Sequence, residues 1–348
     1  MSSNFSCDSL LLKECVNLAW QAQTLALPNP SVGALVVDAK GNIIGRGTHQ
    51  LAGDAHAEVL AIKQAYHHLS GDDEILSIHS SEALHAYLSK HHQNLFTSCV
   101  LYVSLEPCNH FGKTPPCAAL LAKLRFQKVC IGIKDYHPDA NGGLQTLLQA
   151  GIQAEILESQ EARNVLYPFL CLQEKGHFNL FKLAQRLDGN YLHGQISSNL
   201  SQQFTHAQRS VCDAIFISGQ TLREDNPRLD SRFAPPPYDA KTYPKVGIFT
   251  KTSFALPPQS HLFTHRQDLH RCVEIPASLS SLQKGFHIIE GGWNLLPLVL
   301  SDVDMILLHL APKLDSLAYT LSHTLQTRFK ILHTMMLGED LALWLAKL

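Results

Sequence analysis

Two short stretches constrain this chain more than any other part of its sequence. One is His56-Ala57-Glu58, and the other runs from residue 107 to residue 117 and contains Cys108 and Cys117. Three His or Cys ligands around a zinc ion leave the fourth position to water, which distinguishes a catalytic zinc site from a closed structural one. The two stretches therefore predict a zinc site formed by His56, Cys108 and Cys117.

Glu58 lies two residues after the predicted ligand His56, and we expect it to move protons rather than to bind the metal. Zinc lowers the pKa of a bound water from about 15.7 to about 7, so a nucleophile becomes available at neutral pH. A neighbouring acid or base must then carry the proton to a leaving amine. His/Cys/Cys ligands with a non-ligand Glu in H-x-E are typical of nucleobase deaminases.

The spacing of the two cysteines departs from the common deaminase signature. Eight residues separate Cys108 from Cys117, whereas P-C-x-x-C has two between its cysteines. This spacing disfavours a deaminase that acts on nucleic acid, and the formal net charge of −2 offers no basic surface for a polyanion. A structural zinc protein stays open as an alternative, because His110 could supply a fourth ligand.

The stretch around the two cysteines also carries a family resemblance. Residues 107–117, PCNHFGKTPPC, closely resemble the deaminase half of the bifunctional deaminase–reductases of riboflavin biosynthesis, and residues 29–33 and 47–53 match the same family. The resemblance implies a cytidine-deaminase-like α/β/α sandwich.

The same resemblance implies a small-molecule substrate, a pyrimidine ribosyl phosphate, and three residues that contact it. Asn29 and His49 would contact the pyrimidine, and Lys113 would approach the phosphate. A lysine suits that position, because its ammonium group is a compact point charge for phosphate.

The second half resembles the reductase half of that family, whose fold is like dihydrofolate reductase. The matching stretches are residues 182–184, 187–189, 213–215, 221, 225–232, 290–292, 303–304 and 311–313. The resemblance implies NADPH as cofactor, in a site lined by Ala184, Thr221, Asp225, Gly291 and Gly292. It implies that the ribosyl phosphate is held by Ser198, Arg209, Arg232 and Glu290. Arginines suit this role, because their planar guanidinium groups bind phosphate with paired hydrogen bonds.

Three stretches depart from the family. The segment after residues 187–189 lacks its tryptophan, and the helix near residues 204–209 is expected to be shorter. The polar segment 70–98 is longer than the resemblance implies, and we expect it to form a helical excursion on the surface. The missing tryptophan and the shorter helix leave an alternative open: a deaminase whose reductase-like half is not catalytic.

The length of 348 residues favours two domains. We predict a deaminase domain at residues 1–157, a linker at 158–176 and a reductase-like domain at 177–348. Apolar spacing predicts helices at 8–25 and 56–69 and strands at 32–37 and 101–105. In the second half, strands are predicted at 178–184, 214–219, 246–250, 286–290 and 305–310, which indicates another α/β unit.

Composition places the chain among globular proteins, with 45% hydrophobic and 17% charged residues. No apolar run approaches the roughly 20 residues that cross a bilayer, and no N-terminal leader is evident. We therefore predict a cytoplasmic enzyme with no membrane or nucleic-acid partner, and with homo-oligomerisation possible. The main hypothesis is a bifunctional enzyme that uses Zn²⁺ for deamination and NADPH for the reduction that follows.

Overall fold

The computed structural model describes residues 7–112, 114–136, 142–192, 194–239, 243–250, 257–265, 272–274, 284–314 and 326–348. The chain divides into two compact units, Met1–Tyr167 and Pro168–Leu348. The division lies inside the segment 158–176 that we predicted as a linker. Most of that segment is helical, in Gln160–Val165 and Tyr167–Lys175.

The first unit is an α/β fold around a five-stranded sheet with strand order β2-β1-β3-β4-β5. Its elements are α1 (Cys7–Gln21), β1 (Gly33–Val37), β2 (Ile43–Thr48), α2 (Ala57–Ser70), a 3-10 helix (Asp73–Ser77), α3 (Ser81–His91), β3 (Val100–Val103), α4 (Cys117–Leu124), β4 (Lys128–Ile131), α5 (Gly143–Gln149), β5 (Gln153–Ile156) and α6 (Gln160–Val165). The helix α7 (Tyr167–Lys175) follows.

The central strands of the first unit's sheet, β1, β3 and β4, are apolar and largely buried. All five residues of β1 are buried, and β1 pairs antiparallel with β2 and β3, while β3, β4 and β5 run parallel. Helix α1 packs its apolar residues against Leu35 and Tyr102, and α2 packs against β1 and β2. Parallel strands with helices on both faces require such continuous apolar runs.

Gly47 in β2 allows α2 to lie directly on the sheet. A Cβ at this position would collide with the backbone carbonyl of Ala57, the first residue of α2. The missing side chain therefore fixes how closely the start of α2 approaches β2. Because His56 precedes this helix, the same contact sets the position of the first predicted zinc ligand.

The long segment between α2 and β3 is helical, as expected, but it is not merely a surface excursion. Ile75, Leu84 and Leu88 are fully buried, and α3 packs against both α2 and α4. Lys63 of α2 donates to the backbone carbonyls of Leu76 and Ile78, at 3.1 Å and 2.6 Å. The polar composition of the segment concealed this apolar helix face.

The second unit is built on an eight-stranded sheet with strand order β12-β13-β11-β6-β10-β7-β8-β9. Its elements are β6 (His177–Arg186), α8 (Asn199–Val211), β7 (Ala214–Ser218), α9 (Gly219–Asp225), β8 (Lys245–Thr250), α10 (His261–His265), β9 (Cys272–Glu274), β10 (Gly285–Glu290), α11 (Leu296–Val299), β11 (Met305–Ala311), β12 (Phe329–Leu337) and β13 (Asp340–Lys347). The six neighbouring strands from β11 to β9 run parallel, and β13 pairs antiparallel with both β11 and β12. The α/β class predicted for both halves is confirmed.

The core of the second unit joins α11 to the sheet through Phe181, Ile289 and Ile306. On α8, Phe204 meets Trp344 of β13, with ring centroids 6.3 Å apart. In the part of the chain that the structure describes, no helix is long and apolar enough to span a bilayer.

Candidate functional site

The three predicted zinc ligands meet at one point of the first unit. His56 immediately precedes α2, Cys117 is the first residue of α4, and Cys108 lies in the loop that follows β3. His56 Nδ1 is 3.5 Å from Cys108 Sγ and 3.4 Å from Cys117 Sγ. Tetrahedral zinc with Zn–N near 2.0 Å and Zn–S near 2.3 Å places nitrogen and sulfur about 3.5 Å apart. The side chains therefore fit a zinc ion.

The number of ligands matches a catalytic rather than a structural zinc. Among the described residues, the group of donor atoms lying within 4.8 Å of one another at this point contains His56, Cys108 and Cys117 and no fourth member. His110, the candidate fourth ligand of a structural site, is exposed and does not belong to the group. A zinc ion here would keep one position for water.

The thiols of Cys108 and Cys117 are arranged so that one of them is ionised at neutral pH. A hydrogen bond from Cys117 lowers the pKa of Cys108 to about 4, and the neighbouring imidazole of His56 acts in the same direction. The thiolate is the form of cysteine that binds metals. Cys117 donates to its neighbour and is fully buried, so its own pKa is raised, and it would release its proton when a metal binds.

The second nitrogen of His56 is also engaged. Its Nε2 lies 3.2 Å from Thr114 Oγ1, and Thr114 is buried. A hydrogen bond to the nitrogen that does not bind metal fixes the orientation of a ligating histidine. Thr114 was not predicted from the sequence, although its position inside the stretch between the two cysteines could have suggested it.

Glu58 lies in the first turn of α2 beside the metal ligands and is only 4% exposed. Burial raises its pKa to about 7, although the charge of His56 opposes this. A carboxyl group with a pKa near the working pH can both accept and donate a proton.

The two residues expected to contact the pyrimidine lie together beside His56. Asn29 Nδ2 is 3.1 Å from His49 Nε2, and the rings of His49 and His56 meet edge-on with centroids 5.2 Å apart. Burial and the charge of His56 lower the pKa of His49 to about 4, so its ring is neutral at pH 7. Lys113, the third predicted contact, lies outside the described residues.

Glu106 is another residue of this site that was not predicted from the sequence. Its carboxylate is buried and accepts hydrogen bonds from the backbone N–H groups of Asp135 and Leu144, at 3.1 Å and 2.9 Å. It thus ties the start of the loop that carries Cys108 to the segments following β4. The sequence shows Glu106 directly before Pro107, but the residues whose N–H groups it binds are about 30 to 40 positions away in the sequence.

The second unit contains a cleft of about 830 Å³ lined by most of the residues predicted there. Its lining includes Ala184, Thr221, Asp225, Arg209, Arg232, Glu290, Gly291 and Gly292. Ser198 is not part of the lining: it caps α8, donates through Oγ to the Leu337 carbonyl at 2.8 Å and donates through its backbone N–H to Asp340 at 2.7 Å. Tyr191 adds an aromatic ring to the lining, and a Cβ at Gly292 would collide with that ring.

The two arginines in this cleft are each paired with a carboxylate. Arg209 binds both oxygens of Glu290, at 2.8 Å and 2.6 Å, and Arg232 binds Asp230 at 2.6 Å. Burial alone would raise the pKa of Glu290, but the neighbouring Arg209 guanidinium holds this pKa at about 2. A phosphate would therefore have to compete with these carboxylates or share the arginines with them.

Comparisons with known proteins agree with both halves of this description. Residues 5–133 match the family described as cytidine and deoxycytidylate deaminase zinc-binding region. The chain is 33% identical over 230 residues to the riboflavin biosynthesis protein RibD of Synechocystis sp., covering 64% of this chain and 55% of that protein. It is 33% identical over 237 residues to RibD of Aquifex aeolicus, covering 66% and 58%. The chain thus spans little more than half the length of these curated relatives.

Solved structures resemble the fold over nearly the whole chain. Acinetobacter baumannii RibD matches with a TM-score of 0.61 at 24% identity, covering 98% of this chain and 99% of that one. A diaminohydroxyphosphoribosylaminopyrimidine deaminase/reductase of Thermotoga maritima matches with a TM-score of 0.63 at 21% identity, with the same coverage. At these identities the structural likeness establishes the fold, and it includes the second unit as well as the first.

Proposed function

We propose that this chain, which is similar to the RibD riboflavin biosynthesis proteins, is a bifunctional enzyme of that pathway. Its first unit would hydrolyse the amino group of a diaminopyrimidinone ribosyl phosphate, taking up water and releasing ammonia. Its second unit would reduce the ribosyl group to a ribityl chain at the expense of NADPH. The observation that carries the proposal is the meeting of His56, Cys108 and Cys117 beside the buried carboxyl group of Glu58.

The residues of the first unit have distinct roles in this proposal. Zinc, when bound, supplies a water that is acidic enough to act as a nucleophile at neutral pH. Glu58 takes the proton of the attacking water and passes it to the departing amine. Asn29 and the neutral His49 hold the pyrimidine by hydrogen bonds, and Lys113 binds its phosphate.

In the second unit the cofactor performs the hydride chemistry, and the protein positions the reactants. Residues Ala184, Thr221, Asp225, Gly291 and Gly292 would line the NADPH site. The ribosyl phosphate would be held by Arg209, Arg232, Glu290 and Ser198. Except for Ser198, these residues line the same cleft, which supports the assignment.

A coupled assay on zinc-loaded protein tests both activities. We expect ammonia release from the diaminopyrimidinone substrate, followed by NADPH oxidation when the deaminated product is present. Glu58→Gln should lower the rate of ammonia release by a factor of about 10² to 10⁴. It should leave the reduction of added deaminated product unchanged. Ammonia release at the wild-type rate by this variant would refute the role of Glu58.

A second candidate function keeps the deaminase and makes the second unit a non-catalytic module. The pairing of Arg209 with Glu290 and of Arg232 with Asp230 favours it, because a phosphate would have to compete with these carboxylates for the arginines. The coupled assay separates the candidates: a protein that releases ammonia but never oxidises NADPH on the deaminated product fits the second.

A further inference from the structure

His206 is a buried side chain in the cleft of the second unit, and the function proposed above gives it no role. It lies on α8, three positions before Arg209, so the two side chains share one face of the helix. The residue is only 5% exposed, yet it belongs to the lining of the cleft. An imidazole therefore stands beside the guanidinium group that we assign to the ribosyl phosphate.

A contact with the backbone fixes which nitrogen of the His206 ring carries the proton. The N–H group of Phe233 donates to His206 Nδ1 at 3.4 Å, and the two rings meet edge-on with centroids 4.9 Å apart. A neutral imidazole has one acceptor nitrogen and one N–H donor, so the proton is on Nε2. Burial and the charges of Arg209 and Arg232 lower the pKa of His206 to about 4, and the ring is therefore neutral at pH 7.

The Nε2–H group of His206 is available to a ligand. Among the residues that the structure describes, the hydrogen-bond partner of this ring is the Phe233 N–H, which occupies Nδ1. Nε2 is not one of the polar atoms that the fold encloses without a partner. It is therefore open to the cleft that the ring lines, where it can donate to an anion.

Three side chains with N–H donors surround Asp230 in this part of the cleft. Arg232 binds Asp230 Oδ1 at 2.6 Å. His206 Nδ1 lies 4.0 Å from the same oxygen, which is too far for a hydrogen bond. Arg209 donates to the backbone carbonyl of Asp230 at 3.4 Å. A phosphate group has several acceptor oxygens and can receive hydrogen bonds from more than one such donor at once.

We propose that His206 is a further phosphate-binding residue of the second unit, which donates from Nε2 to a phosphate monoester that Arg209 and Arg232 also bind. The inference rests on the proposed function and deepens it by adding a third donor to the phosphate site. The phosphate would replace the Asp230 carboxylate as the partner of Arg232. Because the imidazole is neutral, it adds a hydrogen bond to the phosphate without another positive charge.

Binding of ribose 5-phosphate to the full-length protein tests this inference, because the compound carries the phosphate and the sugar but no pyrimidine. In His206→Ala, its dissociation constant at pH 7.5, measured by calorimetry, should rise about tenfold or more, since a hydrogen bond to a charged group is lost. His206→Gln has an N–H donor near the position of Nε2 and should recover part of the affinity.

Phe204→Leu is the matched control on the same helix. Phe204 is buried against Trp344 and is not part of the cleft lining. The variant should lower the melting temperature and leave the ribose 5-phosphate affinity at the wild-type value. Wild-type affinity in His206→Ala would overturn the inference. So would an equal loss of affinity in Phe204→Leu, because the packing of α8 would then explain the effect.

A measurement on the wild-type protein decides the question if His206→Ala does not fold. In protein labelled with ¹⁵N-histidine, the Nε2–H signal that is missing from His206→Gln should shift when ribose 5-phosphate is added. An unchanged signal at saturating ribose 5-phosphate would overturn the inference.

The outcome is separable from that of the proposed reduction. If the wild-type protein binds ribose 5-phosphate but never oxidises NADPH on the deaminated product, the proposed reductase activity fails. A loss of ribose 5-phosphate affinity in His206→Ala would still support the inference in that case. A wild-type protein that does not bind ribose 5-phosphate would overturn the inference, whatever its deaminase activity.

Discussion

At the scale of single residues, the candidate zinc site depends on side chains that constrain one another before any metal binds. Nδ1 of His56 faces two sulfurs, and its Nε2 is occupied by Thr114. One thiol lowers the pKa of the other. Preorganised ligands of this kind lose little freedom on binding a metal, which favours affinity.

Thr114→Val should weaken zinc binding without disturbing the fold. Valine has nearly the shape of threonine but lacks the hydroxyl group that contacts His56 Nε2. We expect the zinc dissociation constant to rise about 10- to 100-fold, as measured by chelator competition. Thr114→Ser keeps the hydroxyl group and should bind zinc like the wild type; equal affinities in the valine and wild-type proteins would show that the contact does not matter.

Because the carboxyl group of Glu58 is buried, we predict that the free energy of unfolding of the metal-free protein depends on pH. Its pKa rises from 4.5 to about 7 on folding, so the stability that its protonated form provides is complete below pH 4.5 and is lost as the pH rises through 7. At about 1.4 kcal/mol per pH unit, the loss is about 3 kcal/mol.

Glu58→Gln mimics the protonated carboxyl group, so its stability should not fall as the pH rises through 7. Without metal, the variant should unfold at a higher denaturant concentration than the wild type at pH 8, and the two should coincide near pH 4. A wild-type protein that is as stable as the variant at pH 8 would show that the carboxyl group is not desolvated.

At the scale of secondary structure elements, glycines decide where helices and loops approach the sheets. In the second unit, the ring of Tyr191 occupies the space where Gly292 would carry a Cβ. Gly292 lies two residues after the end of β10, so the tyrosine packs against the turn that follows that strand. The cleft thus has an aromatic side chain despite lacking the tryptophan that the family resemblance implies.

Gly292→Ala should destabilise the second unit through this contact, at a cost of about 1–3 kcal/mol typical of overpacking. The double variant Tyr191→Ala with Gly292→Ala should recover most of that loss relative to Tyr191→Ala alone. Denaturant unfolding of the four proteins gives the coupling energy. Strictly additive losses would mean that the two residues do not meet.

The elements also show what a sequence can and cannot provide. Continuous apolar runs predicted β1 and β3 closely, and the spacing of His56, Cys108 and Cys117 predicted their convergence. Thr114 and Glu106 escaped notice because hydrogen bonds to one ring nitrogen or to distant backbone N–H groups leave no periodic trace in the sequence. The burial of α3 was missed for a different reason: its many polar residues masked the apolar face formed by Leu84 and Leu88.

At the scale of the whole molecule, each α/β unit carries a candidate site of its own, and the zinc site of the first unit is the better defined. Its donor atoms lie at distances that suit a tetrahedral zinc ion, whereas the cleft of the second unit has its arginines already paired. If the units act independently, a variant of the first site such as Cys108→Ser should abolish deamination and spare any reduction of added product.

X-ray absorption at the zinc edge of the purified protein tests the central claim most directly. We expect one zinc per chain, with two sulfur neighbours at about 2.3 Å and two nitrogen or oxygen neighbours at about 2.0 Å, one of which is exchangeable water. Four protein ligands without water, or a protein that retains no zinc, would contradict the account.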